Sequence, residues 1–237
     1  MDVVPASTGA VAAPRVLPPI QSIAFFSHHQ DAEAGGEHVQ LLLWPTTPDA
    51  WTSLTQAWRV LRSTEVRKPT TTGAAWVRTY APQLCAVFGE SPALETSVAA
   101  LLTRAAVGAS LAVGLPGRSY TQRQLLLECL QGYQEFLATP GRSSWLAAIS
   151  DPPIDASTAA EDFRAASQGI PFARTPQWHL WEGGTEPIPL ELARVAAAAV
   201  SRYCADRGAP NPIYDALQRK LVRVPPSMLV GLRGRRR

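Results

Sequence analysis

The segment SHHQDAEAGGEHVQ, residues 27–40, holds three of the four histidines of the chain, with Asp31, Glu33 and Glu37 among them. Imidazole and carboxylate are zinc donors. Adjacent side chains of a strand point to opposite faces, so His28 and His29 do not chelate together. His28 and His38 meet if the segment folds as a hairpin, and Glu37 or Asp31 would then complete a ligand set. No HExxH or comparable spacing accompanies them. The segment therefore reads as a polar hairpin turn, with no metal expected.

Other candidate chemistry is sparser. GLPGRS (residues 114–119) lacks the GxxxxGK[ST] spacing and the lysine of a phosphate loop, and reads as a turn between helices. There is no GxSxG elbow, and His179, between Trp178 and Leu180, reads as structural. Cys85, Cys129 and Cys204 lie in apolar helical patterns without a CxxC pair. They are expected to be inert thiols in a reducing compartment. No catalytic residue and no cofactor is expected.

The remaining signal is charge. The net charge of +3 hides an asymmetry: from Arg207 onward eight basic residues face the single acid Asp215, and four arginines crowd the last five positions. Arg233, Arg235, Arg236 and Arg237 can neutralise phosphates without a specific fold. Arg123, Arg164 and Arg174 are candidates for a nucleic-acid groove in the body of the chain.

The elements that must position these groups follow from pattern. Residues 1–19 are rich in Pro, Ala and Val and read as a mobile arm. IQSIAFFS (residues 20–27) and HVQLLLW (38–44) flank the Gly35-Gly36 turn as an amino-terminal β-hairpin, expected to be the only appreciable β structure. Thr47-Pro48-Asp49 opens a helix on which Trp51, Leu54, Trp58 and Leu61 share one face. That stripe reads as core. Further helices are expected over 74–88, from Ser91 through Val113, and from Ser119-Gln122 with Leu126, Leu130, Tyr133 and Leu137 aligned. A short helix is expected around 145–149, another from a Thr158-Glu161 capping box, then a loop over 169–189. A core helix with Leu192, Val195, Ala199 and Tyr203, and a last helix over 214–222, complete the series.

The fold class expected is mostly α: a bundle of about six or seven helices with a small hairpin and extended termini. The division is a mobile arm (1–19), a helical domain (20–206) and a basic tail (207–237). At 17% the charged residues fall below the usual figure of about 25%, which suits self-association. The amino terminus is not a secretory signal and the stretch 105–117 is too short to cross a bilayer, so a cytoplasmic or virion location is expected, with no membrane partner.

TQRQ (121–124) opening a long helix, Trp145 after it, AAEDF (159–163), and LELA (190–193) heading an alanine-rich helix together resemble coat proteins of flexible filamentous plant RNA viruses of the potexvirus type. The resemblance covers about a third of the chain. It implies a helical body whose extended arms join neighbouring copies around single-stranded RNA, with Arg123 and Asp162 as the pair in the RNA groove. The expected function is a non-enzymatic, self-assembling protein of coat or nucleocapsid type that contacts RNA. The alternative is a helical adaptor or regulatory domain that binds a protein partner through the tryptophan helix or the loop from Trp178 to Trp181. A third class is a small enzyme whose site forms only in three dimensions around His179. An arginine-lined groove would mark the first, an apolar groove the second, and a deep pocket with His179 facing a carboxylate the third.

Overall fold

Alternation in IAFFSHHQ and HVQLLLWP builds the hairpin: β1 (Ile23–Gln30) pairs antiparallel with β2 (His38–Pro45), Phe25 opposite Leu43 and Gln30 opposite His38. The computed structural model describes residues 23–30, 38–66, 92–114, 120–138, 147–150, 156–170, 177–180 and 187–223. The expected arm, the helix over 74–88 and the final arginines lie outside them.

After β2 come α1 (Ala50–Val66), α2 (Pro92–Arg104), β3 (Val107–Gly114) and α3 (Gln122–Leu137). Then follow β4 (Ala147–Ser150), α4 (Ala156–Gln168), β5 (Gln177–Leu180), α5 (Ile188–Ala205) and α6 (Pro212–Gln218). Helices account for most of the described residues, as expected of a mostly α chain. They do not gather around a helical core, however. They cover the two faces of a five-stranded sheet of order β3-β2-β1-β4-β5, in which the antiparallel strands β1, β2 and β3 are extended by the short parallel strands β4 and β5.

The hairpin is not the only appreciable β structure: β3, β4 and β5 replace elements expected to be helix or loop. The helix expected from Ser91 through Val113 is α2 followed by β3, whose eight residues are all buried. A strand covered on both faces is a continuous apolar run, which periodicity does not separate from a buried helix. The short helix expected around 145–149 is β4, and the loop expected over 169–189 contains β5. Four residues are too few to express a period.

Alternation sends each strand's side chains to two cores. Ile23, Phe25, Val39, Leu41, Leu43, Leu111 and Val113 pack with α1, α2, α5 and α6. Ala24, Phe26, Leu42, Trp44 and Ala112 pack with α3 and α4. Trp51 and Trp58 are 1% and 0% exposed, so the tryptophan stripe is core and not a stacking platform. The Trp51 indole donates to the Ile23 carbonyl at 2.7 Å, and Arg202 of α5 pairs with the buried carboxylate of Glu95 on α2.

The capping box of α3 lies two residues beyond the expected Ser119-Gln122 pair. Thr121 accepts from the Gln124 amide at 3.2 Å, while the Gln124 side chain accepts from the Thr121 amide at 2.8 Å. Thr158, expected as a cap, falls inside α4.

α6, which belongs to the basic end of the sequence, buries Ile213, Tyr214, Ala216 and Leu217 in the main core. The chain beyond it covers the outer edge of β3: Ala109 donates to the Lys220 carbonyl and accepts from Val222. This occupies backbone groups that an open strand edge would leave unpaired. None of the described helices is long and apolar enough to cross a membrane.

Candidate functional site

Strands β1, β3, β4 and β5 run one way and β2 the other. β1 leads to β2 on one side and has β4 on its other side, so the carboxyl ends of β1 and β4 flank a point where the order of the sheet reverses. Such points form crevices in open α/β sheets. The pairing with β4 ends at Phe26 opposite Ser150, and β1 continues beyond it through His28 to Gln30.

At this end the structure brings together His28 and His38, the two histidines able to meet across the hairpin. Their ring centroids are 5.8 Å apart with the planes tilted by 31°. His28 stands directly opposite Gln40, and His38 opposite Gly114 of β3. The three polar side chains share the face that Phe26 and Leu42 turn toward α3. Gly114 closes the corner against α3: a Cβ there would stand in contact, 3.4 Å from both His38 Cβ and Leu125 Cδ1. Both histidines are half-buried, whereas Gln40 is fully buried and its side-chain amide has no hydrogen-bond partner among the described residues. Gln40 escaped the reading of the sequence, although a glutamine at a core-facing position of HVQLLLW was the available signal.

Below this corner, Cys129 of α3 lies fully buried with its thiol 3.3 Å from the Gln40 carbonyl oxygen. Burial, reinforced by the charge of Glu128, pushes that thiol well above its ordinary range. It is a packing group and not a nucleophile. Burial also raises the Glu128 carboxyl, with Arg223 opposing. His179 lies on β5 opposite Ile149, half-buried. Among the described residues no three His, Cys, Asp or Glu side chains gather as a metal cluster.

The sequence-derived arginines are distributed differently. Arg123 in the first turn of α3 and Arg164 in α4 are both exposed, on the same helical layer. Asp162 is half-buried on α4. Arg174, Arg233, Arg235, Arg236 and Arg237 lie outside the described residues. Two cations of the basic end are engaged within the body: Lys220 Nζ donates to the carbonyls of Thr103 and Ala105 at 2.9 and 2.8 Å, closing the end of α2. Arg223 donates to Glu135 and Gln131, each at 3.1 Å.

On the opposite layer an apolar groove of about 880 Å³ runs between α1 and α2. Ala50, Leu54, Ala57, Val60 and Leu61 line one wall, and Ala100, Leu101 and Ala105 the other. Val60 is 59% exposed. Asp49, before α1, and Arg104, in the last turn of α2, stand at its rim. Hydrogen bonds from the Thr47 hydroxyl and its own backbone hold the Asp49 carboxyl below its ordinary value. Each charge suits the helix end it lies beside. Trp51 and Trp58 anchor α1 in the core, and the flank beside them, from Ala50 through Leu54, Ala57 and Leu61, forms this wall. The small side chains that make the groove carry no chemistry in the sequence, and only the approach of two helices gives them a meaning.

Comparison with protein-family models and with curated proteins gives no match.

Proposed function

We propose that the protein is a non-enzymatic α/β binding module that docks an amphipathic helix of a protein partner in the groove between α1 and α2. The observation that carries this reading is the apolar lining of the groove, with Val60 exposed beside it. Two helices with alanines between larger apolar side chains offer a receiving surface for a third helix. The rim supports the same occupant, since Asp49 and Arg104 can pair with opposite charges on the polar edge of an incoming helix. The thiols of Cys129 and Cys204 suit a reducing compartment, cytoplasmic or inside a particle.

The test is selection of amphipathic helical peptides from a displayed library against the full chain, followed by titration against Ala57→Trp and Val60→Asp. Binders that lose at least about tenfold in affinity with either variant, about 1.4 kcal/mol, support the groove as the site. Selected helices that bind both variants as they bind the parent refute it.

A second reading has its own observation. Arg123 and Arg164 are exposed on one helical layer, which supports the RNA contact and the self-assembly implied by the resemblance to filamentous coat proteins, with Asp162 as the partner of Arg123. In that reading the arginine tail neutralises backbone phosphates. Removing residues 231–237 then flattens the dependence of RNA affinity on ionic strength, and Arg123→Ala with Arg164→Ala lowers that affinity further. An unchanged salt slope, or a strictly monomeric particle that ignores RNA at low salt, removes it.

A further inference from the structure

The corner of the sheet at His28, His38 and Gln40 has the composition of a small ligand site. His28 and Gln40 oppose each other across β1 and β2, and His38 lies two residues from Gln40 on the same face. A tetrahedral zinc ion lies about 2 Å from each ligating nitrogen, and so about 3 Å from each ring centre, which sets two ligating rings about 5 Å apart. The 5.8 Å between the imidazole centroids is within about 1 Å of that separation.

Gln40 is an independent observation. Its side chain is fully buried beside the pair, and neither amide atom has a partner among the described residues. Buried amides in native proteins are almost always satisfied, and an exception calls for a specific occupant. The half-exposure of both imidazoles leaves the corner accessible from solvent. Imidazole nitrogen with amide or water oxygen suits a divalent ion of borderline softness; the absence of sulfur from the three donors disfavours softer ions.

We infer that His28 and His38 each give one ring nitrogen to a zinc-class divalent ion, whose remaining positions hold water, one of them donating a hydrogen bond to the Gln40 amide oxygen. The ion would fasten the hairpin at the end where β1 passes into β2 and orient both imidazoles. This site is separate from the groove between α1 and α2 and stands or falls independently of it.

The experiment is calorimetric titration of the full chain with zinc, repeated with cobalt so that its visible absorption reports the donor set. One ion per chain is expected, with a nitrogen and oxygen spectrum. His28→Ala and His38→Ala each weaken binding at least tenfold, Gln40→Leu weakens it about tenfold, and His179→Ala leaves it unchanged. Zinc raises the melting temperature of the parent and not of the histidine variants, whose melting without zinc matches that of the parent. No uptake at micromolar zinc overturns the assignment. So does parental affinity in His28→Ala and His38→Ala, or an equal loss with His179→Ala.

Discussion

The indole of Trp58 donates to Oε2 of Glu191 at 3.1 Å, joining α1 to α5 across 133 positions of sequence. Arg62 holds the other oxygen at 2.8 Å. The carboxylate is buried, so each partner it loses leaves a charged acceptor less satisfied. Trp58→Phe should lower the stability of the protein by about 1–3 kcal/mol, read as a shift in the denaturant midpoint. A change inside experimental error would show that Arg62 suffices.

The same carboxyl makes stability depend on pH. Burial raises it above its ordinary value of 4.5, against the opposing effects of Arg62, the Trp58 indole and Arg194. The folded chain therefore takes up this proton more readily than the unfolded chain. The contribution is complete below the ordinary value and is lost as pH rises through the raised one. Glu191→Gln cannot titrate, so its stability should rise relative to that of the parent across that window. Parallel pH profiles would contradict this.

Gly132 of α3 rests on Ser110 of β3, and a Cβ at this position would come within 2.9 Å of Ser110 Cβ and closer still to its hydroxyl. The helix approaches the sheet this closely only because the side chain is missing. Gly132→Ala should cost about 1–3 kcal/mol, and Ser110→Gly in the same chain should recover part of it. Denaturant unfolding of the two single variants and the double variant supplies the cycle; strict additivity would refute the contact as the cause.

Cys129 should resist alkylation. Its thiol is buried and held protonated, whereas Cys204 is partly exposed. Iodoacetamide at pH 8 should label Cys204 in the native protein and Cys129 only after unfolding, as followed by mass spectrometry of the peptides. Labelling of both at one rate would show that α3 opens readily from the sheet.

Val60 is exposed and contributes little to the core. Val60→Asp should change stability by no more than about 0.5 kcal/mol, so any loss of peptide binding in that variant reports on the groove and not on unfolding. Thermal melting of the variant checks this directly.

The amino-acid sequence by itself determined the elements whose period spans several turns. Trp51, Leu54 and Trp58 on α1, Leu126, Leu130 and Tyr133 on α3, and Leu192, Val195 and Ala199 on α5 are buried as their spacing required. The hairpin was equally plain, because alternation on both sides of a glycine pair is a local property. Tertiary structure decided what depends on neighbours distant in sequence. VGASLAVG became a strand because α2 and α6 cover one face, α3 the other, and β2 pairs along its length. AAIS and QWHL became strands because β1 offered an edge on which parallel pairing could begin. The groove between α1 and α2, the meeting of His28 with His38 and the Trp58 to Glu191 bond arose in the same way. Side-chain period is written residue by residue into one segment, whereas a pairing partner or a second wall exists only after the chain has closed on itself.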